Sequence, residues 1–368
     1  MPADTGLAQL SNGLLLAALV TYSLAVLAFA GDFAYGRRPG RTPASGAREQ
    51  ELALAAVSMA AARDPAAGRP AAVGLAAGAV TGDRPAADPP KTRLRTPAAQ
   101  LAAAQPGAAR RAAPAGPWLR GALALSGTGL VSHVAAVLAR GLAVHRVPWG
   151  DMYEFVTALT CVAVMFFLAV MIRYRAWSLG LFVMGAVVFV LGLARTAIYT
   201  PAGPLVPALQ SYWLAIHVTA VTLATGIFFV AAVMGVMYLA AGRHARRVAA
   251  GGSDGAGGIM RRLPSPGVLD RLAYRTVVFA FPIWTFGIMA GAIWADEAWG
   301  RYWGWDPTET WAFITWVVYA CFLHARATAG WRGRRAAVIQ LAGFGCLLFN
   351  VTVVSLFING LHSYAGLT

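Results

Sequence analysis

Repeated runs of about 20 predominantly apolar residues, wound as helices, each cross a ~30 Å hydrocarbon core. They constrain this chain more than any other feature of its sequence. Inside lipid the backbone must satisfy its own hydrogen bonds, so such runs are helical. The period-two alternation of an outer-membrane barrel is missing. Eight runs read along the chain, at about residues 10–30, 119–139, 152–172, 177–194, 212–241, 274–294, 307–325 and 336–358. Composition agrees: only 12% of residues are charged, against roughly a quarter in soluble domains. The expected fold is an all-α integral membrane protein of about eight transmembrane helices.

The runs divide the chain into three. Residues 1–30 read as a first transmembrane helix, 31–117 as a linker and 118–368 as a membrane domain of about seven further helices. The linker is rich in Ala, Pro, Gly and Arg and poor in large apolar side chains, so it cannot bury much core and reads as disordered and cytoplasmic. Residues 48–63 could form a short helix within it. The first run resembles a secretory signal, with Ala28-Phe29-Ala30 in place of a cleavage site. However, no basic residue precedes it, and Arg37, Arg38 and Arg41 follow it. That pattern fits a retained helix with its N-terminus outside.

The net charge of +15 is almost entirely arginine. With the N-terminus outside, all Lys and Arg fall in cytoplasmic segments except Arg140, Arg146, Arg195 and Arg301. The charge therefore encodes topology, and no nucleic-acid partner is expected. Both termini and the loop between the sixth and seventh runs face outward. Cys161, Cys321 and Cys346 lie inside runs and form no CxxC or CxxCH pattern. The chain is thus neither a thiol oxidoreductase nor itself a c-type cytochrome.

Six of the 12 tryptophans lie between Trp294 and Trp316. The centre of this stretch reads Trp299-Gly300-Arg301-Tyr302-Trp303-Gly304-Trp305-Asp306-Pro307-Thr308-Glu309-Thr310-Trp311. An interfacial aromatic belt explains a few tryptophans, but explains poorly six in one loop, spaced by glycine and flanked by acids. Indole faces offer rigid area at low entropy cost and glycines allow close backbone approach, so the loop reads as a platform for a flat ligand such as a porphyrin. Asp306 and Glu309 have the spacing of a capping box with proline at the first helical position, and Asp151 and Glu154 repeat it. Helix capping is the default role of all four acids, and ligand contact is secondary.

Neutral imidazole is a common axial ligand of haem iron. His217 sits about one turn inside the outer end of the fifth run, and His362 just past the eighth, after Asn359-Gly360. The two share a depth with the Trp-rich loop. His324 lies toward the cytoplasmic end of the seventh run, with Ala320 and Trp316 above it on a similar face. An ionisable residue there is a functional candidate, and capping of the helix end together with Arg326 is the alternative. His133 reads as an interhelical hydrogen-bonding residue, and His145 and His244 as solvated loop residues.

The pattern Trp-Gly-x-Tyr-Trp-x-Trp-Asp-Pro-x-Glu-x-Trp resembles the WWD signature of the haem-handling family. Its continuation through Trp316, Tyr319, Leu323-His324 and Arg326 is similar to the CcsA/ResC branch, also called CcsB in some lineages, which serves System II cytochrome c biogenesis. The segments from Arg140 to Glu154, Tyr212 to His217 and Gly360 to Tyr364 resemble that branch too. The likeness runs from about Trp118 to the C-terminus and leaves out the linker. Thr308 stands where the family commonly has lysine.

The resemblance implies that haem b is both substrate and bound ligand. By that likeness His217 and His362 are the paired axial ligands of an external haem and help keep its iron reduced. His324 binds haem entering from the cytoplasmic leaflet, with a second ligand from a partner subunit. Trp299, Tyr302, Trp303, Trp305, Asp306, Glu309 and Trp311 form the haem-binding loop. The implied activity is that of a subunit of a holocytochrome c synthase in the cytoplasmic membrane, positioning haem for thioether attachment to apocytochrome CxxCH motifs. No residue is expected to be catalytic beyond that positioning. The partners implied are a ResB/CcsB-type second subunit, without which the chain is expected to be inactive, apocytochrome c and a thiol-reducing protein. The rival reading is a WWD-family haem exporter or chaperone without ligase activity. An ordinary transporter with an aromatic gate leaves the tryptophan cluster unexplained.

Overall fold

The computed structural model describes residues 3–36, 116–204, 209–252, 260, 262–328 and 330–362. The linker and the possible helix at 48–63 lie almost entirely outside them. Among the described residues every regular element is helical. The helices are α1 (Thr5–Tyr35), α2 (Pro117–Ala143), α3 (Met152–Tyr174), α4 (Gly180–Ala197, after a 3-10 turn at Trp177–Leu179), α5 (Tyr212–Ala249), α6 (Pro266–Trp299), α7 (Pro307–Ala327) and α8 (Arg334–Phe349). α8 continues through a π-helical stretch, Asn350–Val354, into the short α9, Ser355–Phe357.

Each of the eight apolar runs is helical, and half of the helices extend a turn or more beyond the run. Seven combine the length and hydropathy needed to cross a membrane, and the chain is a multi-pass membrane protein. The helix outside those seven is α7. It is 21 residues long, but Glu309, His324 and Arg326 and several aromatic residues dilute its hydropathy.

Two apolar cores build the bundle. In one, Tyr22, Phe167, Leu179, Met184 and Leu191 are fully buried among α1 to α4 and one face of α5. In the other, Phe228, Trp284, Tyr319, Phe322 and Leu347 join α5, α6, α7 and α8. The Phe228 and Tyr319 rings stack at 4.1 Å. A small third cluster of Leu209, Leu214 and Trp294, with Trp213 and Trp299 against it, closes the end of the bundle that carries the Trp-rich loop.

Close helix approach places the polar groups of that end. Gly287 and Gly291 on α6 form a small-xxx-small pair, the pattern that lets transmembrane backbones meet. A Cβ on Gly287 would stand 3.0 Å from Val221 of α5, and one on Gly291 would overlap the His217 ring. At the same end, Asn350 opens the π-helical stretch and donates through Nδ2 to the Thr308 carbonyl at 3.2 Å. That bond ties the first turn of α7 to the segment leading to His362. π-helical turns recur at functional sites because they redirect the residues beyond them.

Candidate haem site

His217 projects from α5 against α6. Its Nδ1 lies 2.7 Å from the Gly287 carbonyl oxygen. A carbonyl only accepts, so Nδ1 carries the proton and Nε2 keeps a free lone pair. The ring stacks on Trp294, with centroids 6.0 Å apart and planes 13° from parallel. His362 meets the same indole edge-on at 5.6 Å, and also Trp299 at 5.0 Å. Its Nδ1 lies 2.8 Å from Oδ2 of Asp306. A carboxylate likewise accepts, which again leaves Nε2 free. Two residues 145 positions apart in the chain thus converge on one buried indole, each with its outer nitrogen available.

Asp306 does more than cap. It accepts from Thr308 N at the start of α7, from Leu361 N at 2.7 Å and from the His362 ring. Burial opposes its ionisation, but the bonds from His362, Leu361 and Thr308 outweigh that and hold its carboxyl below the usual carboxylate range. Close approach is again needed, because a Cβ on Gly360 would stand 2.6 Å from Oδ1 of Asp306.

Glu309 completes the capping box by accepting from Asp306 N at 3.1 Å, and also accepts from Gly304 N at 2.9 Å. These two donors flank Trp305, which is held at φ +58°. A bulky side chain in the left-handed region persists only where its surroundings impose it. Here one carboxylate pins both neighbouring peptides and turns the Trp305 indole outward, 66% exposed.

The tryptophans fall into three groups. Trp299 joins Trp294 at 4.8 Å beside the histidine pair. Trp303 and Trp305 meet each other at 5.7 Å and both meet Phe313, which stacks on Trp316 one turn further along α7. Trp311 faces α8 and packs on Phe349 at 4.4 Å, so it serves the α7–α8 contact and not the histidine pair. Tyr302 is exposed.

His324 stands apart. About 17 residues separate it from the start of α7, roughly 25 Å along the axis. It is exposed, and no partner for its ring appears among the described residues. The capping alternative with Arg326 is not realised by that arginine, which makes a two-pronged ion pair with Asp270 of α6 at 2.7 and 3.1 Å and lies over the Tyr274 ring.

His133 is fully buried on α2 and reaches the Tyr22 hydroxyl of α1 at 3.4 Å. His145 is exposed in its loop. Asp151 caps α3 as expected, accepting from Glu154 N at 2.8 Å. Glu154 does not simply close a capping box. It is buried, accepts from Gly150 N, and binds Arg140 at 2.9 Å and Arg146 at 2.8 Å. Two of the four arginines that break the charge pattern are therefore spent inside one cluster with two acids.

Sequence reading counted Trp294 in the tryptophan cluster but not among the haem-binding residues, and it missed Gly287, Gly291 and Asn350. The Gly287-x-x-x-Gly291 spacing was a usable signal. The bond from His217 to the Gly287 carbonyl had none.

The sequence profile of the family described as Cytochrome C assembly protein matches residues 149–362, which include His217, His324, His362 and the whole Trp-rich loop. The chain belongs to the cytochrome c assembly protein family. Within the family its likeness is to CcsA-type members. It is 35% identical over 237 residues to the cytochrome c biogenesis protein CcsA of Guillardia theta, covering 60% of this chain and 77% of that one. With the CcsA of Gloeobacter violaceus it shares 32% over 290 residues, 66% of this chain and 86% of the relative. With that of Synechococcus elongatus it shares 37% over 215 residues, 47% and 66%. Among solved structures, the cytochrome c haem lyase CcmF aligns with a TM-score of 0.46 at 21% identity, covering 64% of this chain and 41% of that one.

Proposed function

We propose that this member of the cytochrome c assembly family is the haem-binding and haem-presenting subunit of a cytochrome c synthase. His217 and His362 hold the iron of haem b through their Nε2 atoms at the outer face of the cytoplasmic membrane. The exposed aromatic groups of the Trp-rich loop flank the ring. The two CxxCH thiols of an incoming apocytochrome add across the haem vinyl groups, each sulfur bonding to carbon and each thiol proton passing to the neighbouring vinyl carbon. The protein contributes position, holding the reacting atoms together in a fixed orientation. Haem arrives from the cytoplasmic side through His324, whose exposed ring needs a ligand from a ResB/CcsB-type partner to complete an iron site. That partner also supplies a large external domain.

One observation carries the reading: two histidines distant in sequence share the indole of Trp294, each with Nδ1 committed to a fixed acceptor and Nε2 available to a metal. The donor set suits haem iron, which takes neutral imidazole as an axial ligand. The test is the visible spectrum of the purified complex with its partner. A Soret band with two-histidine ligation is expected in wild type, and altered ligation in each of His217→Ala and His362→Ala. A colourless complex, or unchanged spectra in both variants, removes the reading. Thioether formation by the purified complex on a CxxCH peptide separates a synthase from a haem exporter or chaperone.

A further inference from the structure

We infer that the two iron-facing nitrogens are inequivalent, so that His217 is the ligand given up to the histidine of the incoming CxxCH segment and His362 is the ligand kept, with Asp306 as the positioning residue that creates the difference. The inference rests on the reading of His217 and His362 as the haem ligands and goes beyond it by ordering them.

The difference lies in what each Nδ1 proton faces. For His217 it is the neutral carbonyl of Gly287, 2.7 Å away, an oxygen that also serves the hydrogen-bond ladder of α6. For His362 it is a carboxylate oxygen of Asp306 at 2.8 Å. A carboxylate draws the proton more strongly, raises electron density at the opposite nitrogen and strengthens its bond to a metal. The charge of Asp306 is well fixed. Its other oxygen accepts from Leu361 N, its side chain also accepts from Thr308 N, and it sits at the N-terminus of α7, where the helix dipole favours an anion. The group is buried at 7% exposure, so water screens the contact little.

Exchange then has a preferred direction. The Fe–Nε2 bond of His217 breaks and a bond to the cytochrome's imidazole forms. One neutral ligand replaces another, and no electron or net charge moves. Closed in by Gly291 and stacked on Trp294, the His217 ring stays in place when the iron leaves and is ready for the next haem. His362 steadies the haem from the opposite side until the thioethers have formed.

The experiment uses the complex with its partner, haem-loaded and reduced, in the variants His217→Ala, His362→Ala and His217→Ala/Asp306→Asn, read by the iron–imidazole stretching band of the five-coordinate state. Asparagine keeps one acceptor oxygen, which can serve Thr308 N and the His362 ring as Oδ2 does now, and it removes the charge together with the acceptor for Leu361 N. The stretch is expected at higher frequency in His217→Ala, where His362 remains, than in His362→Ala, and it should fall toward the latter when Asp306→Asn is added. Equal frequencies, the reverse order, or no change with Asp306→Asn overturn the ordering while leaving the ligand assignment intact. Two-histidine spectra in both single variants overturn the ligand assignment itself. Should a single variant release its haem, the reduction potential of wild type against Asp306→Asn gives the same decision. Loss of the charge should raise the potential, and an unchanged potential overturns the role of Asp306.

Discussion

Gly291 leaves no room for a side chain beside His217: a Cβ on that glycine would stand 2.6 Å from both Cε1 and Nδ1 of the imidazole. The same close approach of α6 to α5 brings the Gly287 carbonyl to the ring. Gly291→Ala should therefore push the imidazole off its acceptor. Overpacking of this kind costs about 1–3 kcal/mol, so the fold should survive with a lowered thermal midpoint. The haem spectrum should change more than the stability does. A variant with normal ligation and an unchanged midpoint would show that the ring does not need this space.

Glu309 and Trp305 form a clamp and its strained product. Glu309→Gln keeps an acceptor oxygen and should stay near wild type. Glu309→Ala leaves the peptide N–H groups of Gly304 and Asp306 without that acceptor, a loss of about 1–3 kcal/mol, and lets the loop relax. Trp305→Gly should do the opposite to stability: glycine adopts positive φ without penalty, so the variant should be more stable by about 1 kcal/mol. It should nevertheless mature less cytochrome c, because the outward indole is gone. Thermal midpoints and covalent haem stain in cells measure the two effects. A Trp305→Gly protein both less stable and fully active would contradict this account.

Legibility from the sequence followed the range of the interactions. The helices were readable because an apolar run in lipid has one solution, and the ends of α3 and α7 because capping spans only three or four residues. That His217 and His362 share one end of the bundle was readable by depth, while their role as ligands rests on family likeness. What their neighbours do was not readable. The bond of Asp306 to His362 joins residues 56 apart and that of His217 to Gly287 residues 70 apart, and no local pattern encodes either. Trp311 looked like its neighbours in sequence, yet helical geometry turns it toward Phe349 of α8. Glu154 carried the spacing of a cap, but two arginines from the preceding helix end and loop claimed its carboxylate.

Asp151, the other acid of that cluster, has a shifted carboxyl. Burial, then the charge of Glu154, push the Asp151 carboxyl up to about 6, against the N-cap bond from Glu154 N and the charges of Arg140 and Arg146. An acid whose pKa is raised on folding favours the folded state in its protonated form. Its contribution is complete below the ordinary carboxylate range and is lost as pH rises toward 6. Asp151→Asn keeps a capping oxygen and cannot ionise, so it should be more stable than wild type at pH 7. The advantage should shrink as pH falls from 6 to 4. Thermal midpoints of both proteins across that range test the sign. An advantage that grows on acidification would reverse the assignment.

If His324 acts in the arrival of haem, as proposed, its loss is separable from a loss of presentation. His324 lies near the far end of α7 from Asp306, exposed and about 25 Å along the helix from its first turn, and its ring has no partner among the described residues. His324→Ala should therefore change neither the thermal midpoint nor the ligation of haem bound at His217 and His362. What should fall, several-fold or more, is the fraction of complex that purifies from cells with haem in it, and with it the yield of cytochrome c. Haem added directly to the purified variant should restore the wild-type spectrum. If added haem also fails to bind, His324 belongs to the structure of one site and not to a separate entry step. If the variant loads normally in cells, haem reaches the pair by a route that bypasses this residue.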